Sequence, residues 1–130
     1  MKITRLYTGP DAESHFEDID VPLKSLGGTD SRSEMMPATG IFFRATSGEF
    51  KLDWHNAPRR QYIILLKGQS EVIVGDGTSR QFGPGEVLLA EDTSGRGHIT
   101  RAVNDQPRMS IHCDRVLVSD KYTPISPVPQ

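Results

Sequence analysis

The sequence is poor in cysteine. Cys113 is the only one among 130 residues, so the chain cannot form an intramolecular disulfide, and a Cys-rich zinc site is excluded. Cys113 falls in an alternating segment predicted to be a strand, Met109–Val118, where it shares a face with Met109 and Ile111. A small buried side chain is therefore the favoured interpretation, rather than a reactive thiol.

Long apolar runs and a strong charge of either sign are also missing. The longest apolar run, Tyr62–Leu66, is far too short to cross a bilayer, and the N-terminal residues lack the apolar core of a signal peptide. The formal net charge is -2, and Arg59-Arg60 is the nearest approach to a basic cluster. We therefore expect a cytoplasmic protein with no nucleic-acid and no membrane partner.

No segment shows helical periodicity over three turns. Short apolar segments separated by turns, with 12 glycines and 9 prolines, instead predict an all-β fold in a single domain, 1–130. Met1–Thr8 is mixed on both faces, which favours a short edge strand. Ser25–Gly40 is predicted to be a long loop, acting as a lid or a dimer arm. A proline-rich tail from about residue 122 is expected to pack over the surface or a partner subunit.

Two patterns in the middle of the chain stand out. In the first, His55 is followed by Gln61 and then by a closing Gly68. In the second, Pro84-Gly85-Glu86 leads into an apolar strand and, after a glycine-rich loop, to His98. Together they resemble the two motifs of the cupin superfamily, small β-barrels that hold a metal or a small molecule inside. The resemblance implies a cupin-type double-stranded β-helix (a jelly-roll barrel) and a homodimer.

Two of the metal-ligand positions of that family are altered in this chain. Ala57 stands where a second histidine is expected, and Gln61 stands at the position of a glutamate. The resemblance then leaves His55, Gln61 and His98 as ligands for a divalent transition metal such as Fe, Ni, Mn or Zn. His112 joins this set if its strand turns it inward. In the alternative interpretation, the histidines are ordinary polar residues that line a wet pocket.

A ligand pocket is expected around the same residues. Trp54 would form one wall, although core packing explains a tryptophan equally well. Arg59 would clamp a carboxylate or phosphate through its planar fork, unless it belongs to a solvated turn. Glu91-Asp92-Thr93 are candidates for acidic catalysts, but a polar loop is the favoured interpretation. The predicted pocket therefore consists of Trp54, His55, Arg59, Gln61, His98 and His112.

Three functions are compatible with these residues. The first is a protein that binds a small molecule in the barrel, with no firm metal. The second is a metal-dependent dioxygenase or isomerase that uses His55 and His98. The third is a metal-free isomerase or epimerase, in which a pocket histidine moves a proton on a sugar-like substrate. The altered ligands count against the second, and no histidine–carboxylate pair can be placed from sequence to support the third. Small-molecule binding is therefore the expected function.

Overall fold

The computed structural model describes residues 1–116, so the predicted tail from about residue 122 lies outside the described residues. These residues form twelve strands and no helix, and therefore contain no helix that could cross a membrane. The strands are β1 (Lys2–Thr8), β2 (Ser14–Asp20), β3 (Lys24–Gly27), β4 (Asp30–Arg32), β5 (Ile41–Thr46), β6 (Lys51–His55), β7 (Gln61–Lys67), β8 (Ser70–Ile73), β9 (Ser79–Phe82), β10 (Val87–Glu91), β11 (His98–Ala102) and β12 (Arg108–Asp114).

Two large sheets pack face to face. One has six strands in the order β2-β1-β10-β7-β12-β5, and the other has four in the order β6-β11-β8-β9. Leu6, Leu65 and Leu88 of the first sheet meet Val72 and Phe82 of the second in a common core. Neither sheet closes into a barrel. The predicted all-β class is confirmed.

The first strand is internal, and the prediction of an edge strand is wrong. β1 runs parallel to β10 on one side and antiparallel to β2 on the other. Its two faces are both covered, because Leu6 belongs to the core between the large sheets and Ile3 packs in a second cluster on the outer face. The mixture of apolar and polar residues that favoured an edge reflects this burial on both faces.

The segment predicted as the loop Ser25–Gly40 contains a hairpin. β3 and β4 pair with each other, and the turn between them uses Gly27 and Gly28 in the left-handed region. Beyond the hairpin, Met36 packs on the outer face, where the Tyr62 hydroxyl donates a hydrogen bond of 3.1 Å to its sulfur. None of the residues 25–40 lines the cavity between the large sheets, although Thr39 and Gly40 line a pocket beside it.

The last described strand is β12, which is shorter than the predicted Met109–Val118. Its inward face carries Arg108, Ser110 and His112, all buried. Cys113 lies on the opposite face and is only half-buried, so the prediction that it is a small buried side chain is wrong. The outer face of this part of the sheet is partly open, since Met109 is 47% exposed.

Candidate functional site

The two sheets enclose a cavity of about 200 Å³. This volume holds a small organic molecule rather than a single water. Its walls are mainly apolar side chains from both sheets, with polar groups at a few positions. β5 and β6 are outer strands of their sheets and are not hydrogen-bonded to each other. The cavity opens between them, where the lining residues Phe42 and Leu52 are exposed.

A histidine–carboxylate pair stands at one end of the cavity. Nδ1 of His98 lies 2.5 Å from Oδ2 of Asp92, and the Ser14 hydroxyl donates a bond of 2.7 Å to the same oxygen. All three side chains are buried, and Asp92 is 0% exposed. Because the carboxylate accepts from Nδ1, that nitrogen carries the proton. In the neutral ring, Nε2 of His98, a residue that lines the cavity, is then the proton acceptor.

His55 lies beside His98 and is held in a similar way. The two ring centroids are 4.3 Å apart with the planes tilted by 57°. Nδ1 of His55 donates to the carbonyl oxygen of Asp53 at 2.8 Å, because a carbonyl can only accept. Burial lowers the pKa of His55, and the hydrogen bond to Asp53 opposes this effect only in part. The imidazole of His55 is thus mainly neutral at pH 7.

A bulge in β6 decides which residues face inward. β11 pairs His98 with His55 and Thr100 with Leu52, so three steps along β6 oppose two along β11. The extra residue lets both Leu52 and His55 line the cavity. Trp54 does not line it and is 41% exposed, with the Arg96 guanidinium 5.2 Å from its ring centroid. Simple alternation along the strand would have placed Leu52 and Trp54 on the same face.

Gly97 lets the loop before β11 lie close to the neighbouring backbone. Gly97 has φ +80°, and a Cβ there would lie 2.0 Å from the carbonyl oxygen of His55. On the other side of the loop, the amide of Ala57 donates to the carbonyl oxygen of Asp92 at 3.1 Å. These contacts fix the start of β11, and hence His98, against the end of β6.

Two further polar side chains line the cavity with unused hydrogen-bonding capacity. Oε1 of Gln61 and Nδ1 of His112 are buried and have no hydrogen-bond partner within residues 1–116. The His112 ring stacks on Phe42 at 4.6 Å, and its Nε2 lies 3.1 Å from the Ser110 hydroxyl. Burial, and then the charges of Arg44 and Arg59, lower the pKa of His112 to about 4. Buried atoms left unpaired in this way are able to accept hydrogen bonds from, or donate them to, a molecule in the cavity.

Arg59 lies outside the cavity, in an adjoining pocket of about 280 Å³. Phe42, Gln61 and His112 line both spaces, so they form the partition between them. The structure therefore brings four of the six predicted pocket residues together, namely His55, Gln61, His98 and His112. Trp54 and Arg59 do not line this cavity, although Arg59 shares the adjoining pocket with Gln61 and His112.

From the sequence, Asp92 is only one of several candidate acids, and a polar loop is the favoured interpretation. That interpretation is wrong for Glu91, which ends β10, whereas Asp92 does lie in the loop that follows but has a buried side chain. One signal could have found Asp92: Leu88 and Ala90 line the cavity, and Asp92 continues the same alternation two residues on. A carboxylate at an inward position needs partners, and Asp92 has His98 and Ser14.

The predicted metal ligands form a weak donor set. His55, Gln61 and His98 offer two imidazoles and a neutral amide, whereas transition metals favour further imidazole or carboxylate ligands. Within the described part of the chain, no three His, Cys, Asp or Glu side chains come together in a group that could hold a metal ion. The predicted site is thus one strong ligand short, and the residues present do not fit a tightly held divalent ion.

Comparison of the chain with protein-family models and with curated proteins finds no match, so the site is interpreted from its own geometry.

Proposed function

We propose that the protein binds a small organic molecule between its two large sheets and that His98, held by Asp92, moves a proton on it without a metal. The observation that carries this proposal is the buried Asp92–His98 pair at the cavity. A base held by a partner is what a metal-free isomerase requires. The pair changes the order of the functions expected from sequence, in which simple binding came first.

The tautomer of His98 suits it to act as the base. Its unprotonated Nε2 takes a proton from a carbon next to a carbonyl, which leaves an enolate and an imidazolium. Asp92 stabilises the imidazolium, and the Ser14 hydroxyl keeps the carboxylate oriented. Where the deprotonated carbon also carries a hydroxyl group, the hydroxyl proton passes to the enolate oxygen and the imidazolium returns its proton to the former carbonyl carbon. The carbonyl group has then moved by one carbon, and a single base completes the isomerisation.

Other groups of the cavity suit the binding of such a substrate. The amide of Gln61 can both donate and accept, and its oxygen is free within the described residues. Leu65, Val72 and Leu88 supply apolar walls that keep water from an enolate.

As part of the proposal, the facing sheets belong to a cupin-type double-stranded β-helix. The face-to-face packing with a ligand-sized space inside supports this.

One observation favours the metal-dependent alternative. His55 and His98 both hold Nδ1 against an oxygen acceptor, which is the arrangement usual behind metal-binding imidazoles. Elemental analysis of protein purified without chelator separates the alternatives. If the wild type contains near-stoichiometric Fe, Ni, Mn or Zn and the His98→Ala variant does not, the metal-dependent function is correct and metal-free proton transfer is wrong.

Hydrogen exchange in D₂O tests the proton transfer itself. The protein is incubated with a panel of aldoses, ketoses and keto acids, and deuterium entering a C–H position is detected by NMR and mass spectrometry. We expect exchange in at least one compound and a loss of roughly 100-fold or more in His98→Gln. Asp92→Asn should cost a similar order, because the amide no longer stabilises the imidazolium. His15→Gln, remote from the cavity, is the control. Exchange that survives in His98→Gln would refute the assignment.

The predicted homodimer remains a proposal. Apolar side chains are exposed on the outer face of β5 and β12, among them Phe43 (73% exposed) opposite Ile111. Such a face suits contact with a second copy. The cytoplasmic location and the absence of nucleic-acid and membrane partners also remain predictions.

A further inference from the structure

Two guanidinium groups share the cavity with the His98 pair. Arg108 of β12 and Arg44 of β5 both line it, and both lie near the ring of Phe50. The guanidinium carbons lie 5.8 Å and 5.1 Å, respectively, from the ring centroid of Phe50. Arg108 is 7% exposed, whereas Arg44 stands exposed at the opening between β5 and β6. One cation is thus inside and one is at the mouth.

Neither arginine has a carboxylate partner within residues 1–116. No ion pair of either side chain occurs there, and Nη1 of Arg108 is buried without a hydrogen-bond partner. The contrast within the chain is clear, because Glu91 lies within ion-pair distance of Arg5, Arg60 and Arg115. A guanidinium keeps its charge in proteins, so an unpaired one in the interior is costly.

We propose that Arg108, assisted by Arg44, binds the carboxylate or phosphate group of the cavity's ligand, so that the substrate is a small organic acid. This inference rests on the proposed function in that the same cavity holds the ligand. A guanidinium fork binds either anion through two parallel hydrogen bonds. Burial and the charge of Arg44 lower the pKa of Arg108, and a bound anion would oppose both effects.

Arg108, the main residue of the anion site, lies away from the proton-transfer end. Arg108 pairs with Thr46 and stands four residues before His112, a separation of about 13 Å along an extended strand. His98 and Gln61 lie at the opposite end, where β7 begins and β11 pairs with the end of β6. The ligand is therefore anchored by its anionic group at one end while a carbon further along reaches His98.

Paired probes test the charge requirement. Acetate and benzoate are compared with acetamide and benzamide, and inorganic phosphate is run beside them, with binding followed by thermal shift and by NMR of the arginine side chains. We expect saturable binding of an anion, and about tenfold weaker binding of the neutral amide of the same shape. Arg108→Gln should weaken anion binding about tenfold or more, and Arg44→Gln less. A preference for carboxylates or for phosphate identifies which anionic group the site takes.

A second readout needs no ligand. Arg108→Gln should raise the melting temperature of the free protein, because it removes a buried charge that has no partner within residues 1–116. Asp120 is the only acidic side chain beyond residue 116. The variant Asp120→Asn therefore tests whether a carboxylate of the chain itself, rather than a ligand, pairs with Arg108. Equal binding of acids and amides, unchanged binding in Arg108→Gln, or a strong gain of anion binding in Asp120→Asn would each overturn the inference.

The two proposals fail separately. His98→Gln should leave anion binding within about threefold of the wild type while it removes deuterium exchange, since the two groups occupy opposite ends. If anions bind at Arg108 and no compound exchanges, the protein is a binding protein for organic acids and proton transfer is wrong. If exchange occurs on neutral sugars alone and Arg108→Gln does not affect it, the anion site is wrong.

Discussion

The protonation of His112 should make the protein lose stability between pH 7 and pH 5. Burial lowers the pKa of His112 from 6.5 to about 4, and the charges of Arg44 and Arg59 act in the same direction. Above pH 6.5 the imidazole is neutral in both the folded and the unfolded chain, so it does not affect the balance. As the pH falls from 6.5 towards 4, only the unfolded chain takes up the proton, and the free energy of unfolding decreases.

The magnitude follows from the pKa values of His112 in the unfolded and folded chain. A tenfold change in proton affinity corresponds to about 1.4 kcal/mol, so the whole effect approaches about 3 kcal/mol at pH 4 and below. Between pH 7 and pH 5 the expected loss from His112 alone is about 2 kcal/mol. The pKa of His55 is also lowered, so the wild-type loss should exceed this value. Asp11, Asp18 and Asp114 have pKa values below 3.8 and add little in this range.

Urea unfolding at pH 7 and pH 5, followed by circular dichroism and Trp54 fluorescence, measures the loss. His112→Phe keeps a ring to stack on Phe42 but cannot titrate, so its loss should be smaller than that of the wild type by about 2 kcal/mol. Arg44→Gln removes one of the repelling charges and should give an intermediate value. An equal loss of stability in the wild type and in His112→Phe would refute the reasoning.

Two predictions concern the backbone and the ion pairs. Gly97→Ala should cost more than about 2 kcal/mol by urea unfolding, since its Cβ would strike the His55 carbonyl; Gly77→Ala, also at positive φ but with open space around it, should cost about 1 kcal/mol. Equal costs would contradict the clash. Glu91→Gln should cost about 3–5 kcal/mol, because three arginines lose a carboxylate whose side chain is 1% exposed. Glu71→Gln removes a more exposed ion pair and should cost below about 1 kcal/mol in the same assay, and a similar cost for both would refute the burial argument.

Much of the fold follows from local patterns in the sequence. The alternation in β7 places Gln61, Ile63 and Leu65 on one face, and that face lines the cavity. The same alternation puts Ser110 and His112 on one face of β12, and the structure turns that face inward. These strands are regular and strongly patterned, so the period of two residues is enough to assign their faces.

The sequence could not reveal where this period breaks. The bulge in β6 depends on how the strand pairs with β11, and it turns Trp54 away from the cavity while His55 enters it. The place of β1 inside the sheet depends on a parallel pairing with β10 across more than eighty residues of chain. Contacts of this kind leave no local pattern in the sequence. The internal position of β1 and the outward position of Trp54 could therefore be found only from the structure.

Asp92 shows why the candidate chemistry was found only in three dimensions. Its inward direction follows from Leu88 and Ala90, but its partners come from both sides of the chain: Ser14 from the N-terminal hairpin and His98 from the next strand. β1 lies between β2 and β10, so the parallel pairing that sequence reasoning missed also brings Ser14 to Asp92. The Asp92–His98 pair and the internal position of β1 are therefore two consequences of one arrangement of strands. Because Ser14 and His98 both bond to Asp92, this arrangement of strands holds in place the carboxylate that orients the base.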